Sequence, residues 1–283
     1  MKNQKNQKLD FNPSFDSYNT LLDPFKDVVF IAKNHTYEID GNKIPLSVTG
    51  LLSKYKKPFD SHNMSNIIAR KDGVDQKDVL DKWDFARDYA NHAGTEFHAY
   101  VENYLERRRL ALDKESITKF FKFREDFKES DSIQKYYIKM AKMISGFHEW
   151  YEWYKEDHTL IKSELVIGDK ECNLAGTLDN LSFNRKTNEL VIFDYKTNKA
   201  INVVSKYKDR MLDPISHLDN CELNTYSLQI WLYKLMIERN TPYKLGDCHI
   251  LWFNGDRCET FGILDLKKEA SDLFDIQTSG HRS

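Results

Sequence analysis

The stretch LAGTLDNLSFNRKTNELVIFDYK, from Leu174 to Lys196, holds two apolar runs separated by the polar segment Asn184-Arg185-Lys186-Thr187-Asn188. Runs of this length bounded by turn residues read as two strands, over residues 174–183 and 189–195, joined as a hairpin. Pairing Phe183 with Leu190 in an antiparallel register sets Asp179 directly opposite Asp194. Two carboxylates facing each other across a ladder repel, so this register calls for a cation between them. Mg2+ or Mn2+ suits the position, because hard cations take oxygen ligands and commonly use one or two carboxylates. Strand alternation puts Asp194 and Lys196 on one face and turns the Tyr195 side chain away, leaving the Tyr195 backbone carbonyl as a third oxygen ligand. Lys196 then places a cation where it can position a water and stabilise charge on a phosphorus-centred transition state. The same residues also suit a plain surface ion pair on a hairpin, which contributes little to stability.

Working outward, residues 160–167 form a preceding strand, and residues 223–239 a strong helix with Asn220 or Asn224 as its N-cap. Strands at 249–253 and 260–264 and a last helix at 266–274 complete the C-terminal half. Upstream, residues 47–155 read as helices separated by Pro58, Gly73, Gly94 and the polar stretch Glu129-Ser130-Asp131-Ser132. Before them, residues 28–44 read as a small β-hairpin. The chain thus divides into an N-terminal arm (1–27), a hairpin with a helical region (28–158), and a sheet with helices (159–283), forming one integrated domain. This order predicts an α/β or α+β fold. The aromatic group Phe147, Trp150, Tyr151, Trp153 and Tyr154 reads as core packing.

Two helical segments carry polar pairs at i, i+4 spacing, which share one helix face. In Gly94-Thr95-Glu96-Phe97-His98-Ala99-Tyr100-Val101-Glu102, Gly94 and Thr95 are placed to start a helix whose buried stripe is Phe97, Val101, Tyr104 and Leu105. His98 and Glu102 project together beside that stripe. In the later helix Gln229 and Tyr233 share a face while Leu228, Leu232 and Leu235 pack inward.

Charged residues make up 30% of the chain and the formal net charge is −2, so any nucleic-acid contact must come from local basic groups. Candidates are Lys54, Lys56 and Lys57, then Arg107, Arg108 and Arg109, then Lys199, Lys206, Lys208 and Arg210. Cys172, Cys221, Cys248 and Cys258 show no close metal-ligand spacing and read as free thiols. No apolar run approaches the ~20 residues that span a bilayer, and the start MKNQKNQKLD lacks a secretory signal. The expectation is an intracellular protein that is neither secreted nor membrane-bound, in a bacterial or phage-infected cytoplasm.

The order of these motifs resembles the PD-(D/E)XK nuclease superfamily, specifically its RecB-like branch. That branch shows a GTxxHxxxE helix, a GxxD strand, a DxK strand and a QxxxY helix. Here they stand as Gly94 to Glu102, Gly176 to Asp179, Asp194 to Lys196 and Gln229 to Tyr233. Bacteriophage exonucleases and the mitochondrial genome maintenance exonuclease share this layout. The resemblance implies a central mixed β-sheet flanked by helices, with an N-terminal helical region. It further implies a Mg2+- or Mn2+-dependent DNA nuclease, with exonuclease action on single strands or DNA ends expected. A structure-specific endonuclease and a non-catalytic nucleic-acid-binding protein are the alternatives. By position, His98, Asp179, Asp194 and the Tyr195 carbonyl would hold the metal, and Lys196 would be the catalytic lysine. Gln229 and Tyr233 would orient lysine, water or phosphate. Glu102 is a further catalytic candidate, and Glu164 either helps with a metal or pairs with a lysine. Lys199, Arg107 and Arg108 are candidate DNA contacts. No iron–sulfur cluster is expected, and replication or recombination proteins are the expected partners.

Overall fold

The computed structural model describes residues 20–108, 110–122, 132–255 and 257–280. Most of the expected N-terminal arm, Arg109 and the Glu129-Ser130-Asp131 stretch lie outside the described residues. The chain builds a mixed α/β architecture around a six-stranded sheet.

Residues 28–44 form three strands where a hairpin was expected: β1 (Val28–Ile31), β2 (Thr36–Ile39) and β3 (Asn42–Ile44), all antiparallel. Asp40 and Gly41, both at positive φ, make the second turn tight enough to return a third strand. The two-residue β4 (Leu46–Ser47) follows, then α1 (Val48–Lys54), capped by the Ser47 hydroxyl accepting from Gly50 N at 3.0 Å. Asp60 caps α2 (Ser61–Asp72), which ends on Gly73 in the left-handed conformation.

One long helix, α3 (Gln76–Leu105), corrects the expectation that a helix begins at Gly94. The cap is Asp75, and Gly94 lies deep inside the helix. Its role is contact: a Cβ there would come within 3.1 Å of Thr197 Oγ1, just past the end of the third core strand. Phe97 and Val101 are fully buried as the periodicity predicts, and Tyr104 and Leu105 pack partly buried against the same cluster.

After α4 (Lys114–Lys122) and α5 (Ser132–Asp157), three antiparallel strands run in succession: β5 (His158–Asp169), β6 (Leu174–Asn184) and β7 (Glu189–Lys196). The helix α6 (Glu222–Asn240) then carries the chain across to β8 (His249–Phe253), which pairs parallel with β7. The antiparallel β9 (Cys258–Gly262) and α7 (Lys267–Gly280) close the fold. Neither Asn220 nor Asn224 caps α6. Cys221 holds the cap position without a side-chain bond, while Asn224 donates to the Asp219 carbonyl.

The sheet separates two apolar layers. On one face β7 turns Leu190 and Ile192 toward α1, α6 and α7; on the other it turns Val191, Phe193 and Tyr195 toward α3 and α5. Phe147, Trp150 and Tyr154 are core as expected, whereas Trp153 is half exposed. The helix α6 is buried nearly all round, including Lys234, whose amine donates to the Leu245 and Gly246 carbonyls.

One irregularity positions everything polar. Along one edge β6 pairs with β5 from end to end. On the other edge its start (Leu174, Ala175) pairs parallel with β4, and its end (Asn180 to Asn184) pairs with β7. Between these partners, Gly176 to Asp179 face a gap where β4 and β7 have parted.

Candidate active site

Asp179 stands at the closed end of that gap. The Phe183–Leu190 pairing holds, and its ladder ends at Asn180–Phe193, one step short of Asp179 and Asp194. In place of a further ladder step, the Tyr195 amide donates to Asp179 Oδ2 at 2.6 Å. The Tyr195 side chain points to the other face, as alternation requires, and its hydroxyl accepts from Asn180 Nδ2 at 2.8 Å.

Two elements bring side chains to Asp179. From α3, His98 Nδ1 lies 3.5 Å from Asp179 Oδ1 and 3.4 Å from Glu164 Oε1. From β5 comes Glu164 itself, at φ 47°, a left-handed conformation inside a strand. Such a conformation costs on the order of 1–3 kcal/mol for a non-glycine residue and persists where surrounding structure imposes it. Among the described residues, His98, Glu164 and Asp179 form the one group whose ligand atoms all lie within 4.8 Å of one another, close enough to hold a metal ion.

Asp194 and Lys196 form the adjoining half of the site. Lys196 Nζ is 2.6 Å from Asp194 Oδ2, 3.5 Å from Gln229 Oε1, and 4.6 Å from the centre of the Tyr226 ring. Gln229 Nε2 donates to the Tyr233 hydroxyl at 3.3 Å, which donates to the Thr177 carbonyl at 2.9 Å. Gln229 and Tyr233 therefore link the lysine to the unpaired edge of β6. Gly176 is what lets them in: a Cβ there would lie 2.8 Å from Tyr233 Cε1.

The charges explain the site's chemistry. Burial pushes the Asp194 carboxyl up, the neighbouring Asp179 adds to this, and Lys196 only partly compensates, giving a pKa of about 6. Burial opposes charge on His98, but Asp179 and Glu164 outweigh it and raise the imidazole to about 10. For Asp179 burial acts upward, yet His98 and Lys196 hold it below the usual carboxylate value. Burial likewise works against Lys196, and Asp194 and Asp179 hold its pKa above that of an ordinary lysine. Glu164 is raised, chiefly by burial. Three acids thus share one cleft with two cations. Asp194 Oδ2 is buried, with the Lys196 ammonium 2.6 Å away as its ion-pair partner.

This donor set of carboxylates and an imidazole fits a hard divalent cation. In the protonated state the His98 ring stands between Asp179 and Glu164 as a cation would, so a metal entering there displaces a proton.

The other candidates fall outside this group. Glu102, one turn beyond His98, is 2.8 Å from Arg108 Nη1, and Arg108 also engages Glu106 at 2.8 Å. Lys162 joins Glu106 at 2.7 Å, making a charged rim. Arg107 is exposed at positive φ, and Lys199 is exposed just beyond β7. Sequence reading gave no role to Tyr226 or Tyr37. Tyr226 was findable, since it precedes Gln229 by three residues on the same helix. Tyr37, whose hydroxyl meets Thr177 Oγ1 at 3.2 Å, comes from the small distant sheet and leaves no local signal.

The model of the PD-(D/E)XK nuclease superfamily matches residues 71–269, more than half of the chain, and the protein belongs to that superfamily. Its members are generally nucleases that use divalent metals. No curated protein matches the chain. Among solved structures, the crystal structure of SSO0001 is similar at 14% identity, covering 58% of this chain and 70% of that one, with a TM-score of 0.24. At that score the likeness carries no argument. No helix among the described residues is long and apolar enough to cross a membrane.

Proposed function

We propose that this chain is a DNA nuclease of the RecB-like branch, dependent on Mg2+ or Mn2+ and acting on single strands or DNA ends. The observation that carries the reading is the junction of the His98, Glu164, Asp179 group with the Asp194–Lys196 pair at the gap in β6. His98, Asp179, Asp194 and the Tyr195 carbonyl would hold the metal, with Glu164 as an additional ligand. The metal would polarise the scissile phosphate and lower the pKa of a bound water. Lys196 holds positive charge beside the reacting phosphate, and Gln229 and Tyr233 fix its direction. Glu102 contributes indirectly, by fixing Arg108.

Two basic segments far apart in sequence meet each other in the fold. Lys57 pairs with Asp209 at 3.0 Å, and Leu212 N donates to the Tyr55 carbonyl at 2.8 Å, tying the end of α1 to the segment between β7 and α6. Lys54, Lys199, Lys206 and Lys208 are exposed, and Lys206 Nζ lies 5.5 Å from the centre of the exposed Tyr207 ring. Lysines interleaved with an open aromatic suit single-stranded nucleic acid, with bases stacking and phosphates paired.

Incubating the purified protein with linear single-stranded, linear duplex and circular DNA in Mg2+, Mn2+ or EDTA tests the proposal. Metal-dependent loss of linear substrate with circular DNA spared is expected. Cleavage of circles reassigns it as an endonuclease. Absence of cleavage in every metal overturns catalysis and leaves a binding protein.

A further inference from the structure

The small sheet of β1, β2 and β3 is seated on β5 through one close contact. A Cβ on Gly168 would come within 2.7 Å of Ile39 Cδ1 and 3.2 Å of Val28 Cγ1, so the glycine lets these two residues lie flat on the strand. Val28 and Ile39 are direct partners across β1 and β2, and both are buried. The next pair on the same face, two residues along each strand, is Phe30 opposite Tyr37. Both are half-buried. Tyr37 packs against the main core, whereas Phe30 belongs to neither apolar layer among the described residues.

Tyr37 fixes where that face leads. Its hydroxyl lies 3.2 Å from Thr177 Oγ1, and Thr177 belongs to the stretch of β6 left unpaired between β4 and β7. Strand alternation puts Thr177 on the same face as Asp179, two residues on and about 7 Å away at the rise of an extended strand. Beyond Tyr37 the rings continue outward. The Phe30 ring centre is 5.0 Å from that of Tyr37, and the His35 ring centre is 5.1 Å from that of Phe30. His35 is exposed in the turn between β1 and β2, and Lys33, in the same turn, is exposed without an ion pair to a described residue. A file of three rings therefore leads from the row beside His98, Glu164 and Asp179 to the surface.

A strand whose phosphate lies at the metal group must run past this file. Successive bases stack on aromatic side chains whatever their identity, because every base has a π-face, and an unpaired cation beside the rings suits the following phosphate. The Tyr37 hydroxyl is already engaged by Thr177, and Phe30 has no polar atom, so the rings offer contact to a base face and little readout of its edge. We infer that Phe30, with Tyr37 and His35, forms a stacking subsite for the bases flanking the scissile phosphate. Such a subsite selects unpaired over paired nucleic acid, since the base faces of a duplex are covered by their neighbours. The inference rests on the nuclease reading for the position of that phosphate.

The test is equilibrium binding of a dye-labelled short oligothymidylate to the full chain in Mg2+, read by fluorescence anisotropy, in a Lys196→Ala background so that the strand stays intact. An abasic strand of the same length is the comparison. Phe30→Ala is expected to weaken the oligothymidylate by roughly five- to a hundredfold and to leave the abasic strand unchanged, which also shows that the variant is folded. Phe30→Tyr restores binding, and Phe30→Leu, apolar without a ring, does not. Equal loss on both strands means that Phe30 only supports the fold, and no loss on either means that no base reaches it. Full rescue by leucine means apolar bulk in place of stacking. A dimer in sedimentation that Phe30→Ala dissolves gives the face to a second copy of the chain. Each of these four results overturns the inference. Binding is read without cleavage, so its failure leaves the nuclease proposal standing, whereas a wild-type chain that binds bases through Phe30 and cleaves nothing sinks that proposal alone.

Discussion

Two buried polar groups share the same pair of strands, one on each face. On the α5 side the Tyr154 hydroxyl lies 2.7 Å from Ser182 Oγ, Ser182 donates to Asn180 Oδ1, and Asn180 donates to the Tyr195 hydroxyl. Because Ser182 has one hydroxyl proton and gives it to Asn180, Tyr154 must donate to Ser182. These groups are neutral and linked in series. One residue along each strand, Asp179 and Asp194 face the other way, charged and crowded, with His98 and Lys196 as their cations. The comparison separates two uses of buried polarity: one group locks β6 to β7, and the other carries a charge imbalance that only a ligand relieves.

The contrast breaks most visibly through the lysine. Lys196→Ala or Asp194→Ala is expected to reduce metal-dependent cleavage by roughly 10^3-fold or more while the circular dichroism spectrum stays that of a folded protein. Comparable activity in either purified variant would remove Lys196 and Asp194 from the chemistry. The opposite pattern is expected across the sheet. Asn180→Ala strands the Tyr195 and Ser182 hydroxyls and should lower stability by about 1–3 kcal/mol in urea denaturation, with specific activity of the folded protein preserved.

A smaller effect sharpens the difference. In EDTA, the folded state holds the Asp194 proton more tightly than an unfolded chain does, at about 6 against a model value of 3.8. The stabilisation is fully present below the unfolded pKa and is lost as pH rises through the folded one. Asp194→Asn should therefore stabilise the metal-free protein at pH 8, by about 1–3 kcal/mol, and have little effect near pH 4. Equal effects at both pH values would mean that Asp194 is not strained by its surroundings. His98 acts in the same sense at higher pH: its contribution is intact below 6.5 and fades as pH passes about 10.

Much of this arrangement was legible in the chain. Alternation and a polar turn located β6 and β7, and Phe183 opposite Leu190 set the register that brings Asp179 toward Asp194. Spacing alone put Gln229 and Tyr233 on one face of α6. The purposes of Gly94 and Gly176 were not legible. Each makes room for a group from another element, Thr197 and Tyr233, and such tertiary contacts leave no local pattern. Helix punctuation misled for the same reason, since a glycine needed for close packing looks like a helix start. The left-handed turn at Glu164 was equally hidden, because no glycine or asparagine marks it in the sequence.

The parting of β4 and β7 along β6 has a consequence for biosynthesis. The pocket needs Leu46 and Ser47 from the first part of the chain, β6 and β7 from its middle, and α6 to fill the gap between them. Contacts so distant in sequence form late, after long loops have closed. A growing polypeptide therefore lacks the assembled carboxylate cluster until α6 has emerged and docked.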